Sequence, residues 1–300
     1  MYTNSSPTPQ YLAAVQMIEK YIRQYFESGE LQDRFQPFDK TAEPYGAGFD
    51  ISVILAATKQ TSKQAEHGSY PPNGFALRFV TKTGGQYAVT LDPAKVNTCI
   101  DSEAKAQEYA ALLTESLYQG WTRDKANAVA TECGKIIAQS AKSGTTITLG
   151  ADIEAWALSM LTQIKAQVMN LREGIKGSDY GNTVVAANEI AANDIVLVMS
   201  HNTAATLDAY GYAKVFTPDY VEVNNVTRIT SNKIEDNTVL ITDAKNVQIR
   251  KKYEAFVGPL QNSDGSQNFF YNREEYIEAA INQSSSDVAF PFYVIKTTEE

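Results

Sequence analysis

Asp101–Lys142 reads DSEAKAQEYAALLTESLYQGWTRDKANAVATECGKIIAQSAK, the longest span free of proline and of turn clusters. Tyr109, Leu113, Leu117 and Trp121 recur every four residues, Val129, Cys133 and Ile137 resume the spacing, and Leu112 and Ile136 widen the stripe. Four residues are a little more than one helical turn, so these side chains share a face, while Glu103, Lys105, Glu115, Arg123 and Lys135 stay off it. Asp101 is placed to cap the start, Glu103 suits the positive first turn, and Lys142 followed by Gly144 marks the end. Unbroken, such a helix is about 60 Å long. Gly120 is its weak point: with Thr122 as a new cap, the same residues also read as two helices. A helix of that length exceeds what the core of one domain requires, so part of it is expected to pack on something else.

Working outward toward the C-terminus, Asp152–Arg172 reads as a second helix with Ile153, Trp156, Leu161, Ile164, Val168 and Leu171 as its buried stripe. Ile195–Met199 is a continuous apolar run, the mark of a buried strand, and a short helix over Asn202–Tyr210 follows at once. Val215–Phe216, Tyr220–Val223 and Thr227–Ile229 are short strand candidates, and Thr238–Asp243 with Asn246–Arg250 form a paired strand signal. Gln261–Gln267 is a polar turn, Tyr276–Ile281 a short helix and Val288–Ile295 a closing strand. Toward the N-terminus, Phe49–Leu55 alternates as a strand, and Lys59–Gly74 is polar, proline-bearing and expected to be an exposed loop. Phe75–Thr81 and Tyr87–Leu91 read as strands of a hairpin turned at Lys82–Gln86. This region has little aliphatic content for a core of its own, so it is expected to lie on another molecule. Residues 1–9 offer no pattern. From Gln10 to Glu27, Tyr11, Val15, Ile18, Ile22, Tyr25 and Phe26 fall on one helical face that needs a partner, either its own domain or a neighbouring subunit. The class is α+β, with mixed sheets and helices laid against them.

The 300 residues suit one large domain or two ordinary ones. A net charge of -9 argues against a protein that grips nucleic acid by its phosphates, which takes a basic patch. Two cysteines, Cys99 and Cys133, are too few for a disulfide framework or a thiolate metal site, and two histidines leave no metal-ligand spacing. The N-terminus lacks the charged and apolar regions of a secretion signal, and no apolar run reaches membrane-spanning length. Ser200-His201 beside Asp194 or Asp208 lacks the Gly-x-Ser-x-Gly setting of a nucleophile, and neighbours at a strand end point apart. Asn262-Ser263-Asp264-Gly265 starts like a calcium loop but lacks the later acidic ligands. No catalytic, cofactor-binding or metal residue emerges.

The order of elements resembles the major capsid protein of tailed bacteriophages, the Hong Kong 97-type fold. The most similar text is Ala192–Ser200 (ANDIVLVMS), Leu207–Tyr212 (LDAYGY), Val239–Asp243 and Val247–Tyr253 (VQIRKKY). The resemblance implies a phage-capsid-like α+β fold with an N-terminal arm (1–45), an extended hairpin loop (46–96) and a peripheral domain holding the spine helix (97–180). A mixed-sheet axial domain (181–255) and a return to the peripheral domain (256–300) complete it. It implies no enzyme and no cofactor, but a subunit assembling with copies of itself in pentamers and hexamers into an icosahedral-type virion shell. That shell encloses double-stranded DNA without sequence-specific binding, is made in the host cytoplasm, touches no membrane and works with a portal. The arm is too short for a built-in scaffold, which implies a separate scaffolding protein or none. Tyr11, Val15, Ile18, Ile22 and Tyr25 of the arm and Lys59, Lys63, Tyr70, Phe75 and Gln86 of the loop are the expected assembly contacts. The other readings are a tail component, or a small-molecule binding or hydrolytic protein with a site near Ser200 and Asp243.

Overall fold

The computed structural model describes residues 7–28, 38, 49–54, 74–173, 190–210, 226–262, 266–281 and 286–299. In chain order the elements begin with α1 (Pro9–Ser28), β1 (Phe49–Ile54), β2 (Gly74–Phe79), β3 (Lys82–Thr90) and α2 (Pro93–Cys99). Next come α3 (Glu103–Ile137), β4 (Gly144–Leu149), α4 (Ile153–Glu173), β5 (Ile195–Met199) and α5 (His201–Ala209). Then follow β6 (Thr227–Thr230), β7 (Val239–Asp243), β8 (Val247–Gln261), β9 (Gln267–Ala279) and β10 (Phe292–Glu299). They divide into two compact units drawn from alternating stretches. The first takes Met1–Arg34, Lys82–Ala126 and Lys251–Glu275, and the second Phe35–Thr81, Asn127–Arg250 and Tyr276–Glu300. The five consecutive segments expected from the sequence are therefore not the compact bodies of the chain.

In the first unit, Thr8 opens α1 by accepting the Tyr11 N–H on its hydroxyl, with Pro9 in the first helical position, where a missing N–H costs nothing. Ala14, Val15, Ile18 and Ile22 are buried together with Leu91, Val96, Cys99, Ala106, Ala110 and Leu113. Asp92 caps α2 by accepting the Ala94 N–H, again with proline in the first turn. The spine candidate forms one helix, α3, about 52 Å long. Its cap is Ser102, whose hydroxyl accepts from the Lys105 N–H at 3.4 Å, one residue beyond the expected Asp101. A Cβ at Gly120 would stand 3.0 Å from the Tyr87 ring, so glycine is held there by packing, and one glycine does not break a helix otherwise well covered. Leu117 and Trp121 pack with Tyr271, as the stripe requires, whereas Leu112 is 58% exposed and does not belong to it.

The Lys82–Gln86 stretch is not a turn. It belongs to β3, which joins the sheet β3-β9-β8. Gly84, at φ +107°, lets the strands approach: a Cβ there would fall 2.1 Å from the Arg273 carbonyl oxygen. Residues 276–279, read as helix, continue β9 as strand.

The second unit is built on a five-stranded mixed sheet of order β4-β10-β7-β5-β6. β5 pairs with β7 antiparallel from Ile195 opposite Asp243 to Met199 opposite Val239, and every residue of both strands is buried. Asp152 caps α4 through the Glu154 and Ala155 N–H groups, and α4 lays Trp156, Met160, Leu161, Ile164, Val168 and Leu171 on this sheet. Ile153, expected inside, is 49% exposed because it precedes the turn that faces the sheet. β4 and β10, which the sequence places in a peripheral domain, share the sheet of the strands assigned to an axial one.

β7 does not pair with the strand after it. Asp243 caps a single turn over Ala244–Asn246 by accepting the Lys245 N–H at 2.8 Å. The Asn246 side chain donates to the Phe290 carbonyl and accepts the Phe290 N–H, which redirects the chain into β8. β1 and β2 form the antiparallel hairpin of the extended loop, Phe49 opposite Phe79 and Ile54 opposite Gly74. Leu77 and Phe79 at its base pack on Tyr276, Ala280 and Ala289.

Candidate assembly surfaces

The structure corrects the expectation that the face of α1 is an assembly contact. Val15, Ile18 and Ile22 are 1%, 0% and 0% exposed, and Tyr11 and Tyr25 lie half-buried on the same cluster. The reason is proximity: α2 and the start of α3 offer apolar partners inside the same unit, and an apolar face takes the burial it can reach first. Gln86 lies exposed on β3, an edge strand of its sheet. Phe75 is in β2 opposite Val53. Lys59, Lys63 and Tyr70, like the strand candidates Val215–Phe216 and Tyr220–Val223, lie outside the described residues.

Among the described residues, the apolar side chains left exposed include others: Leu12 on α1, Leu112 on α3, Ile153 and Leu158 on α4, Tyr253 and Leu260 on β8. β8 is the second edge of its sheet and carries Pro259, which an edge tolerates because no neighbour asks for its N–H. A cleft of about 230 Å³ opens beside it in the first unit. There Phe26 stacks on Tyr271 at 4.6 Å and the Arg23 guanidinium stands 5.2 Å from the Phe256 ring. Tyr87 ties β3 to α3 through a 2.7 Å bond to Asp124; burial first, and that bond second, push its hydroxyl well above the ordinary tyrosine value.

The polar groups that suggested chemistry have structural work. Ser200 caps α5, its hydroxyl accepting the Thr203 N–H at 3.0 Å. Asp243 holds the turn before β8, and Asp208 is clasped by both terminal nitrogens of Arg228. In the second unit a cleft of about 200 Å³ contains two carboxylates: Glu132 accepts from Lys135 and the Ala279 N–H, and Glu278 from the Val80 and Thr81 N–H groups. Among the described residues, no three His, Cys, Asp or Glu side chains gather in a way that could hold a metal ion, and no helix is long and apolar enough to cross a membrane.

Comparison with known proteins turns on the whole chain rather than on one site. The family of Phi29-like phage major capsid proteins matches residues 8–280. The capsid structure of Staphylococcus phage Andhra is similar with a TM-score of 0.63 at 9% identity, over 89% of this chain and 85% of that one. The mature capsid of bacteriophage PhiM1 gives 0.52 at 12%, over 89% and 88%. The acid-stable capsid of Helicobacter pylori bacteriophage KHP30 gives 0.52 at 11%, over 89% and 91%. At such identities these structures speak for the fold alone. Among curated protein sequences, none matches this chain.

Proposed function

Since the chain belongs to the Phi29-like phage major capsid protein family and is a shell subunit of the virion, we propose that its copies meet in rings of five and six around packaged double-stranded DNA. The observation that carries this reading is the family match over 8–280, which runs from α1 through the spine helix to the end of β9 rather than over one motif. The net charge of -9 suits a wall to which packed DNA must not stick. Catalysis has no part in this reading, because Ser200, Asp243 and Asp208 are each engaged in capping or ion pairing.

The contacts fall on the β1–β2 hairpin region with Lys59, Lys63, Tyr70 and Phe75, on Gln86 at the edge of β3, and on the exposed apolar residues of α3, α4 and β8. A separate scaffolding protein and a portal assist, and assembly takes place in the host cytoplasm. The test is to purify the chain and examine it by size exclusion and electron microscopy. Closed particles or ring-shaped capsomers are expected. A species that stays near 33.0 kDa under all assembly conditions, including added scaffold, overturns the reading.

A further inference from the structure

Between β2 and β3 the chain leaves one sheet for another, and two residues, Val80 and Thr81, belong to neither strand. A backbone N–H outside a sheet ladder still needs an acceptor. Here one side chain serves both: Glu278 of β9 accepts from the Val80 N–H at 2.9 Å and from the Thr81 N–H at 3.1 Å on a single carboxylate oxygen. From the residue before it, the Ile277 N–H donates to the Thr81 carbonyl at 3.1 Å. An ionised carboxylate suits this place because it only accepts, and it holds N–H groups more strongly than a neutral oxygen does.

The clamp is itself held. Ala279, next in the chain, donates its N–H to Glu132 of α3 at 2.9 Å. Glu132 is 4% exposed and is fixed in turn by Lys135 at 2.7 and 2.8 Å. A line of contacts thus runs from α3 through the end of β9 to the root of the β1–β2 hairpin, each residue of it in the second unit.

The joint is short and the arm is long. β1 and β2 pair over six residues each, about 20 Å, so a turn of about 15° at Val80–Thr81 would move the far end by about 5 Å. Leu77 and Phe79 hold the base by packing on Tyr276, Ala280 and Ala289, but apolar contact is non-directional, whereas two hydrogen bonds to one oxygen favour one angle. We propose that Glu278 is a positioning residue, which sets the direction in which the β1–β2 hairpin leaves the body and so presents it to the next copy at one angle. The second half of that statement rests on the reading of the hairpin as an assembly contact.

Dilute, unassembled subunits test the clamp. Cys99 and Cys133 are buried, so Ser52→Cys on β1 and Thr146→Cys on β4 take a pair of spin labels. The distance between the labels, measured by double electron–electron resonance, should be narrowly distributed in the parent. It should stay narrow in Glu278→Gln, whose side-chain oxygen still accepts both N–H groups, and broaden in Glu278→Ala at a nearly unchanged melting temperature. Amide exchange at Val80 and Thr81 should be about tenfold faster in the alanine variant. A distribution equally narrow in Glu278→Ala, or equally broad in all three proteins, overturns the clamp. If the alanine variant does not fold, the parent decides: Val80 is 47% exposed, so slow exchange at its amide and at that of Thr81 is the mark of the clamp, and free exchange at both overturns it. Shell formation is scored apart: a hairpin that broadens in Glu278→Ala yet still closes normal particles keeps the clamp and refutes the hairpin as an assembly contact.

Discussion

Replacing Ile18 and Ile22 together by alanine tests whether α1 belongs to its own subunit. Both side chains are 0% exposed, one helical turn apart, and enclosed by Leu91, Val96, Ala106, Ala110 and their neighbours. Truncating a buried isoleucine to alanine costs about 2–5 kcal/mol, from lost transfer energy and the cavity left behind. The two sites share a cavity wall and do not add strictly, so the pair is worth about 4–8 kcal/mol. Whole domains are stable by only about 5–15 kcal/mol, and the double variant should therefore lose most of its margin. The measurement is urea denaturation of dilute, monomeric subunits followed by far-ultraviolet circular dichroism. The midpoint should fall sharply and by the same amount at two protein concentrations, since the contact is intramolecular. A variant that melts like the wild type as a monomer yet forms no shells would refute the reasoning and return the α1 face to a neighbouring subunit.

Gly84→Ala should destabilise by at least about 1–3 kcal/mol in the same assay, because φ is +107° and the new methyl would overlap the Arg273 carbonyl. Gly120→Leu should cost about 1–3 kcal/mol by overpacking against Tyr87, seen as a lower melting temperature; an unchanged melt would show that the ring can move aside. The Cys133 thiol is fully buried, and burial followed by the Glu132 charge pushes it up to about 12. A thiol reagent at mildly alkaline pH should leave it unlabelled in folded protein and label it in urea, and ready labelling without urea would contradict the packing.

The helices were legible because their stripes are long and clean. Leu113, Leu117 and Trp121 fixed the face of α3, and Trp156 to Leu171 the face of α4. Ile195–Met199 and the helix behind it were readable for a related reason: the apolar run ends at Ser200, a residue that caps. β9 escaped because its inward row is Phe269, Tyr271, Arg273, Glu275 and Ile277, in which two charges break the polarity alternation that identifies a strand. The same two residues pair with each other and with Glu254 and Lys125, so the signal that hid the strand also hid its most unusual side chains. β4 escaped because Thr145, Thr146 and Thr148 look polar, although β-branched threonine suits a strand. Which partner covers α1 could not be read at all: a face specifies that it must be buried, not by what.

The place of β10 between β4 and β7 has a consequence for biosynthesis. β4 is made early and has β10 as its sheet neighbour, yet roughly 140 residues separate them along the chain. At about 5–20 residues per second, a ribosome needs about 7–28 s to deliver that neighbour. For that interval the Thr145–Leu149 backbone presents unpaired N–H and carbonyl groups to every other nascent chain in an infected cell making this subunit in bulk. Until β10 arrives, that edge is open to pairing with its own copies, ahead of any closing of a shell.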